Sequence, residues 1–425
     1  MTFITLSQRM WLSPKPNSVG RCGKCLRNAV RRIPCGSRES SRRVALPSEP
    51  YMRYFKLILS LSLCAATAAG KPPVVLESGP VFEYPNADPY DLSNLYGFNH
   101  APSVTRLADG RLLAAWFSGP FEASVHQLIL GCYGEPDARS WGPGVVLNDV
   151  PRKSDFDPAF IRDGNRTWLF YSVGRWNRYP FVGKRDAEKT EVGIDSYQTF
   201  ARFTDDAGRT WSDPRRIGEH TGAGPRSNGI KLSTGELILP LHRYDGQSPG
   251  ILKSADGGAT WRKIDGPKPD EKVTASEPSI AECASGELLM IVRSRDGWLW
   301  STRSNDKGET WSKLLKSDMP AAASSHSLLR LTDGRLVLTH NPSKPPIRTP
   351  LTIRVSTDNG LTWGEPAELD SVPVPDETDE VYSRQVAYPS AIENPDGTVT
   401  VVWTRISVSP TEQYGKIHWA KVRIE

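Results

Sequence analysis

The sequence predicts an all-β chain folded as a six-bladed β-propeller. Two interleaved repeats and the lack of long helical periodicities predict it. The first repeat is an octet, Ser/Thr-x-Asp-x-Gly-x-Thr-Trp, at residues 204–211, 254–261, 304–311 and 356–363, with its tryptophans 50, 50 and 52 residues apart. A degenerate fifth copy, EPDARSW, ends at Trp141. The second repeat is a short strand, a turn ending in glycine and an apolar strand. Its turn glycines are Gly110, Gly164, Gly235, Gly286, Gly334 and Gly397, which makes six units. A unit of about 50 residues with about four strands is one propeller blade. A stacked β-solenoid fits less well, because each unit is long and broken by turns.

The chain opens on a basic segment. Residues 1–51 carry ten Lys or Arg against Glu39 and Glu49, a net +8, with no apolar period. Cys22, Cys25 and Cys35 supply one Cys-x-x-Cys pair, but a zinc knuckle needs a second half. Next come Met52-Arg-Tyr-Phe-Lys, the run LILSLSLCAATA and Ala68-Ala69-Gly70, which have the basic region, apolar stretch and small-residue end of a secretory signal peptide. Met52 is therefore the expected start and 52–69 the expected signal. Residues 1–51 are then a non-native extension or a disordered basic leader, with a transit segment as the alternative. Cys64 after Leu61-Ser62-Leu63 fits a lipoprotein box poorly. The apolar stretch is too short to span a bilayer and nothing later is longer, so a secreted or periplasmic monomer without stable membrane insertion is expected.

Residues 70–425 form the propeller. The whole chain carries +5; without the +8 of the first segment and without Arg53 and Lys56, the remainder carries −5. The basic excess is thus no nucleic-acid footprint. A 38% hydrophobic and 9% aromatic composition excludes disorder as the main state. Only Cys132 and Cys283 follow the signal, so burial and not disulfides must hold the fold. With no metal-spaced His/Cys cluster and no Gly-rich phosphate loop, no cofactor is expected.

The octet has the chemistry of a hairpin turn. Asp bonds backbone N–H groups ahead of it, Gly supplies a positive φ, and Trp anchors the turn on the neighbouring sheet. A calcium loop is the alternative, but the ligand positions and distant Glu of an EF-hand are missing.

In a propeller, positions near the start of each inner strand meet in a ring at one mouth of the central channel. Counting back from the turn glycines gives His100, Asp157, Arg226 or Ser227, Glu277, Ser325 or His326, and Tyr388. The ends of the following strands give a looser set: Phe117, Tyr171, His242, Arg293, Asn341 and Thr404. Singly, a Glu or a Tyr before Pro reads as a turn or as packing. Six register-matched positions carrying acid, imidazole, guanidinium and phenol read as a site.

Octets in a six-bladed propeller resemble the sialidase (neuraminidase, BNR-repeat) superfamily, and the resemblance covers residues 75–425. The octets correspond to its Asp boxes, which lie away from catalysis. SEPSIAECASGELLMIVR resembles the segment that carries a Glu and then an Arg, matching Glu277 and Arg293. HNPSKPPIRTPLTIRVSTDNGLTW resembles the segment with an Arg before an Asp box, matching Arg348, and VAYPSAIENPDG the one with the catalytic Tyr, matching Tyr388.

The resemblance implies an exo-α-sialidase-type glycoside hydrolase that removes a terminal acidic sugar from a glycan or glycoconjugate with retention. Tyr388 would be the nucleophile, because a carboxylate is repelled by an anionic sugar. Glu277 would draw off the phenol proton, and Arg293 and Arg348 would clamp the sugar carboxylate. The acid would come from the first blade's loop as Glu122 in FSGPFEAS, with Asp157 in reserve. Two departures stand out. The family's Arg-Ile-Pro triplet reads His100-Ala101-Pro102, and the usual acid Asp appears as Glu. The clamp is then two arginines and a histidine, with Arg226 as a candidate replacement and His326 as a further substrate-binding candidate. Two alternatives stay open: a hydrolase or lyase for a uronic-acid glycan with His100 and Tyr388 as acid and base, and a glycan-binding propeller without turnover.

Overall fold

The computed structural model describes residues 71–83, 97–120, 122–175, 193–243, 248–270, 273–374, 384–406 and 415–425. The basic segment 1–51 and the signal-like run 52–69 lie outside the described residues.

The described residues form six antiparallel sheets, each one blade, in chain order. Blade 1 comprises Phe98–Arg106, Leu112–Gly119, Leu128–Gly134 and Val145–Asn148. Blade 2 comprises Ser154–Asp163, Arg166–Arg175, Gly193–Thr204 and Arg215–Arg216. Blade 3 has a divided inner strand, Ala223–Gly224 and Ile230–Lys231, then Leu237–Arg243, Pro249–Ser254 and Arg262–Asp265. Blade 4 runs Ser276–Glu282, Leu288–Arg293, Trp298–Ser304 and Leu315–Pro320; blade 5 runs Ser327–Arg330, Leu336–His340, Leu351–Ser356 and Ala367–Asp370. Blade 6 takes Gln385–Glu393, Val399–Ile406 and Lys416–Arg423 from the end of the chain and its outer strand, Val74–Phe82, from the front. That pairing closes the ring, and no repeat in the sequence announces it. The all-β, six-bladed expectation holds.

The octets fold alike. The first hydroxyl accepts the N–H of the glycine four residues on, at 2.8 Å in Thr204, Ser254, Ser304 and Ser356. The Asp carboxylate takes the N–H and the hydroxyl of the octet's Thr, at 2.9 and 2.6 Å for Asp206 and Asp256. These bonds, led by the Thr hydroxyl, hold the carboxyls of Asp206, Asp256 and Asp306 down to about 2. The oxygens that a calcium ion would need are occupied within the turn itself.

Each octet also clasps the preceding blade. Trp261 meets Phe170 and Trp168 of blade 2 edge-on, with ring centres 5.3 and 6.5 Å apart. A cation of the preceding blade caps the carbonyl before the glycine: Arg111 on Ala207, Lys253 on Lys307 and Arg303 on Asn359, all at 2.9 Å. Gly258 stands at φ 88, and a Cβ there would lie 2.5 Å from the Trp168 ring. Gly258→Ala is therefore expected to cost about 2–4 kcal/mol, from left-handed strain plus overpacking against a rigid indole. A urea midpoint within error of wild type would refute this.

Candidate active site

Four inner strands carry the same irregularity. In blades 1, 2, 4 and 6 the pairing slips by one residue, between His100 and Ser103, Phe156 and Ala159, Ser276 and Ser279, and Ala387 and Ser390. Each slip is a β-bulge, and at each one a non-glycine residue sits at positive φ: Ala101 at 58°, Asp157 at 53°, Glu277 at 45° and Tyr388 at 59°. All four precede a proline, which has no N–H to offer the ladder and fits best where pairing is already broken. A left-handed backbone at a side-chain-bearing residue is sterically costly and tends to persist where it aims a functional group. In blade 3 the inner strand is interrupted instead, with Arg226 in the interruption, and in blade 5 the short inner strand begins only at Ser327, directly after His326. The shared X-Pro step was legible in the sequence; its conformation was not. It also shows that Ala101 is the register match of Asp157, Glu277 and Tyr388, with His100 one residue earlier.

Tyr388 is the centre of the cluster. Arg293 Nη1 donates to the phenol oxygen at 3.0 Å and, through the same nitrogen, to Glu277 Oε1 in a short ion pair. Arg226 and Arg348 place their guanidinium carbons 5.0 and 5.2 Å from the Tyr388 ring centre, from blade 3 and from the segment before the third strand of blade 5. Arg226 Nη2 also donates to the Tyr388 carbonyl at 3.3 Å. Arg348 is held by Gln385 Oε1 at 3.0 Å and the Ala323 carbonyl at 2.8 Å. Gln385 escaped the sequence reading, since a lone glutamine carries no pattern.

The electrostatics divide the cluster. Burial pushes the Tyr388 phenol up; Arg293 and Arg348 pull it back, and Glu277 and Glu122 add to the rise. Burial also opposes charge on Glu277, but Arg293 and then His242 and Arg226 overcome it and hold that carboxyl at about 2. Its second oxygen, Oε2, is buried and has no hydrogen-bond partner. Arg226 is buried, and although burial lowers its pKa, Asp157 and Glu277 counter it.

His100 is buried at 4% exposure, its ring 4.3 Å from that of Tyr388 and packed on Phe117 and Phe98. Burial first, then Arg348 and Arg226, push its pKa well below the usual histidine value. It is a neutral ring where the family triplet has a cation, whereas Arg226 brings a third guanidinium to the same tyrosine.

Glu122 stands at the mouth between the second and third strands of blade 1. Water reaches its side chain, but protein surrounds it closely enough to raise the carboxyl above its usual range, with Asp157 and Glu277 adding and Arg348 and Arg293 opposing. Asp157 lies 3.8 Å from His242 Nε2, a partner that only the looser strand-end set contained. His326 is tied to the backbone: its Nε2 donates to the Ile291 carbonyl at 3.0 Å, and burial brings its pKa to about 4, with Glu277, Arg226 and Arg293 near enough to act on it. Of the other strand-end positions, Arg293 enters the cluster. Tyr171, Asn341 and Thr404 bond to Asn148, to the Pro350 and Val386 carbonyls, and to the Ala101 N–H. Among the described residues, no group of three or more His, Cys, Asp and Glu is placed to hold a metal ion.

A family model described as a BNR repeat-like domain matches residues 110–401. The chain belongs to this family. Its membership fits the repeated octets and the six blades. Within the family's wider circle, the chain is 28% identical over 239 residues to a sialidase of Bacteroides fragilis, covering 50% of this chain and 42% of that protein. It is 26% identical over 353 residues to a sialidase of Micromonospora viridifaciens, covering 74% of this chain and 54% of that one. The chain thus spans about half the length of these curated relatives. The crystal structure of the NanB sialidase from Streptococcus pneumoniae superposes with a TM-score of 0.63 at 16% identity, covering 81% of this chain and 70% of that one. At that identity the superposition speaks for the fold. No helix among the described residues is long and apolar enough to cross a membrane.

Proposed function

We propose that this BNR-repeat propeller is an exported sialidase-type glycoside hydrolase that removes a terminal acidic sugar with retention through Tyr388. The observation that carries the reading is the shared nitrogen of Arg293, which brings the phenol of Tyr388 and the carboxylate of Glu277 to one point amid three guanidinium groups. The sugar carboxylate would lie among Arg226, Arg293 and Arg348. In so doing it would draw on the charge of Arg293, loosen that residue's hold on Glu277 and raise the basicity of the carboxylate. Glu277, with Oε2 free of other bonds, would then take the phenol proton as the oxygen attacks the anomeric carbon. Glu122, whose raised pKa keeps a proton available, would give it to the departing oxygen and later take one from the incoming water. The clamp differs from the sequence expectation: Arg226 supplies the third charge and His100 a neutral wall. Export rests on the signal-like run at 52–69 alone.

The test is incubation of the purified chain with an aryl α-sialoside, followed by NMR. Retention predicts that the α anomer of the free sugar appears first, and Arg226→Leu should raise KM about 10- to 100-fold, the loss of one charge-assisted bond. No sugar release across pH 4–8 would end the sialidase reading.

A second reading has one observation in its favour. A neutral imidazole packed at a tilt against a tyrosine beside three arginines is also suited to abstracting the proton next to a uronate carboxyl. The appearance of an unsaturated-uronate chromophore with uronic-acid polysaccharides would select it.

A further inference from the structure

Glu122 reaches the mouth on the segment between Gly119 and Leu128, and one side chain anchors that segment. Gln127 is fully buried at its foot. Its Oε1 accepts the N–H of Ala123 at 2.9 Å, and its Nε2 donates to the carbonyl of Asp155 at 2.7 Å. The backbone of the same residue donates to Ser124 O and accepts from Asp155 N, both at 3.0 Å. Ser154 Oγ adds a bond to Ser124 O at 2.7 Å. The neighbour of Glu122 is thereby tied to the inner strand of blade 2, two residues ahead of Asp157.

Ala123 is held at φ 68, a left-handed value that an alanine rarely adopts unaided. It is buried in the same cluster as Phe117, Phe156 and Tyr388. Among the described residues no hydrogen bond fixes the Glu122 carboxylate, so its place is set through its backbone. The amide carries, on separate atoms, both the acceptor that Ala123 needs and the donor that Asp155 needs; a carboxylate lacks the donor, and a thioether lacks the donor and offers only a weak acceptor.

We propose that Gln127 is the positioning residue that holds Glu122 over Tyr388 as the group that protonates the departing oxygen, an inference that rests on the reading of Glu122 given above. Protonation matters when the departing oxygen is basic and matters little when it leaves readily as a stabilised phenolate. The test is therefore kcat/KM of wild type, Gln127→Met and Glu122→Gln on sialyllactose and on a nitrophenyl sialoside. Gln127→Met should lose about 100-fold on sialyllactose and less than about 3-fold on the nitrophenyl sialoside, the pattern of Glu122→Gln. An equal loss on both substrates in Gln127→Met alone overturns the inference and leaves the acid assignment standing. An equal loss in Glu122→Gln overturns both.

Hydrogen exchange supplies a readout that needs no turnover. The Ala123 amide should exchange at least about tenfold faster in Gln127→Met, which takes away the oxygen that accepts it, while the strand Ser154–Asp163 keeps its protection. If wild type cleaves neither sialoside, the sialidase reading fails. Unchanged Ala123 exchange then overturns the anchoring role of Gln127 independently.

Discussion

Tyr388→Phe should lower kcat at least about 10⁴-fold while the protein stays folded, because it deletes the nucleophile and little else. The ring contacts with His100, Arg226 and Arg348 survive the change; the 3.0 Å bond from Arg293 to the phenol oxygen is what disappears. The sharper measurement is covalent. A fluorinated sialosyl fluoride should add one sugar to wild type, on the peptide that contains Tyr388, and add none to the variant. Labelling of any other residue, or a variant with more than a tenth of wild-type kcat, would remove Tyr388 from the centre of the mechanism.

Arg293→Met should cost about 3–5 kcal/mol of stability at neutral pH and abolish detectable turnover. The arginine neutralises Glu277 at a site where only about a tenth of either side chain is exposed, and a buried carboxylate stripped of its counter-ion costs that much. The pH dependence carries the diagnosis. In wild type the Glu277 pKa is about 2, below its unfolded value, so its contribution is fully present above about pH 4 and fades as pH falls toward 2. In the variant the main lowering influence is gone and burial raises the carboxyl above its unfolded value. The sign then reverses: the penalty is greatest at high pH and shrinks as pH falls through the raised pKa. Urea midpoints between pH 4 and 8 should show the variant approaching wild type on acidification. Glu277→Gln placed on top of Arg293→Met should recover most of the loss. A penalty that is constant with pH would show that Glu277 is not the group at stake.

The octets, the turn glycines and the blade count were all readable because their interactions close within about eight residues. The Asp206 carboxylate finds its partners at Thr204 and Thr210, and such a pattern repeats visibly along a chain. Glu277, Arg293, Arg348 and Tyr388 could be singled out from local segments, and the fold gathers them at one mouth. Other parts left no trace. Gln127 and Gln385 act across 28 and 37 residues, and nothing about an isolated glutamine reveals such a partner. The X-Pro steps at Ala101, Asp157, Glu277 and Tyr388 were visible, but the left-handed bulge that they share was not, because a backbone conformation depends on the pairing of the two strands. The closing strand Val74–Phe82 lies outside the repeats altogether.

Charge state separates the two levels most clearly. In the sequence, the family resemblance makes His100 stand in for a missing arginine, and register counting makes Arg226 one member of a polar ring. In the folded chain His100 is walled in by Phe98, Phe117 and Tyr388 and kept neutral, while Arg226 reaches a tyrosine 162 residues away in sequence. Local sequence settles turns and strands because hydrogen-bond partners there are neighbours. Which ionisable groups carry charge depends on desolvation and on charges brought from other blades, and those distances exist only after the ring has closed.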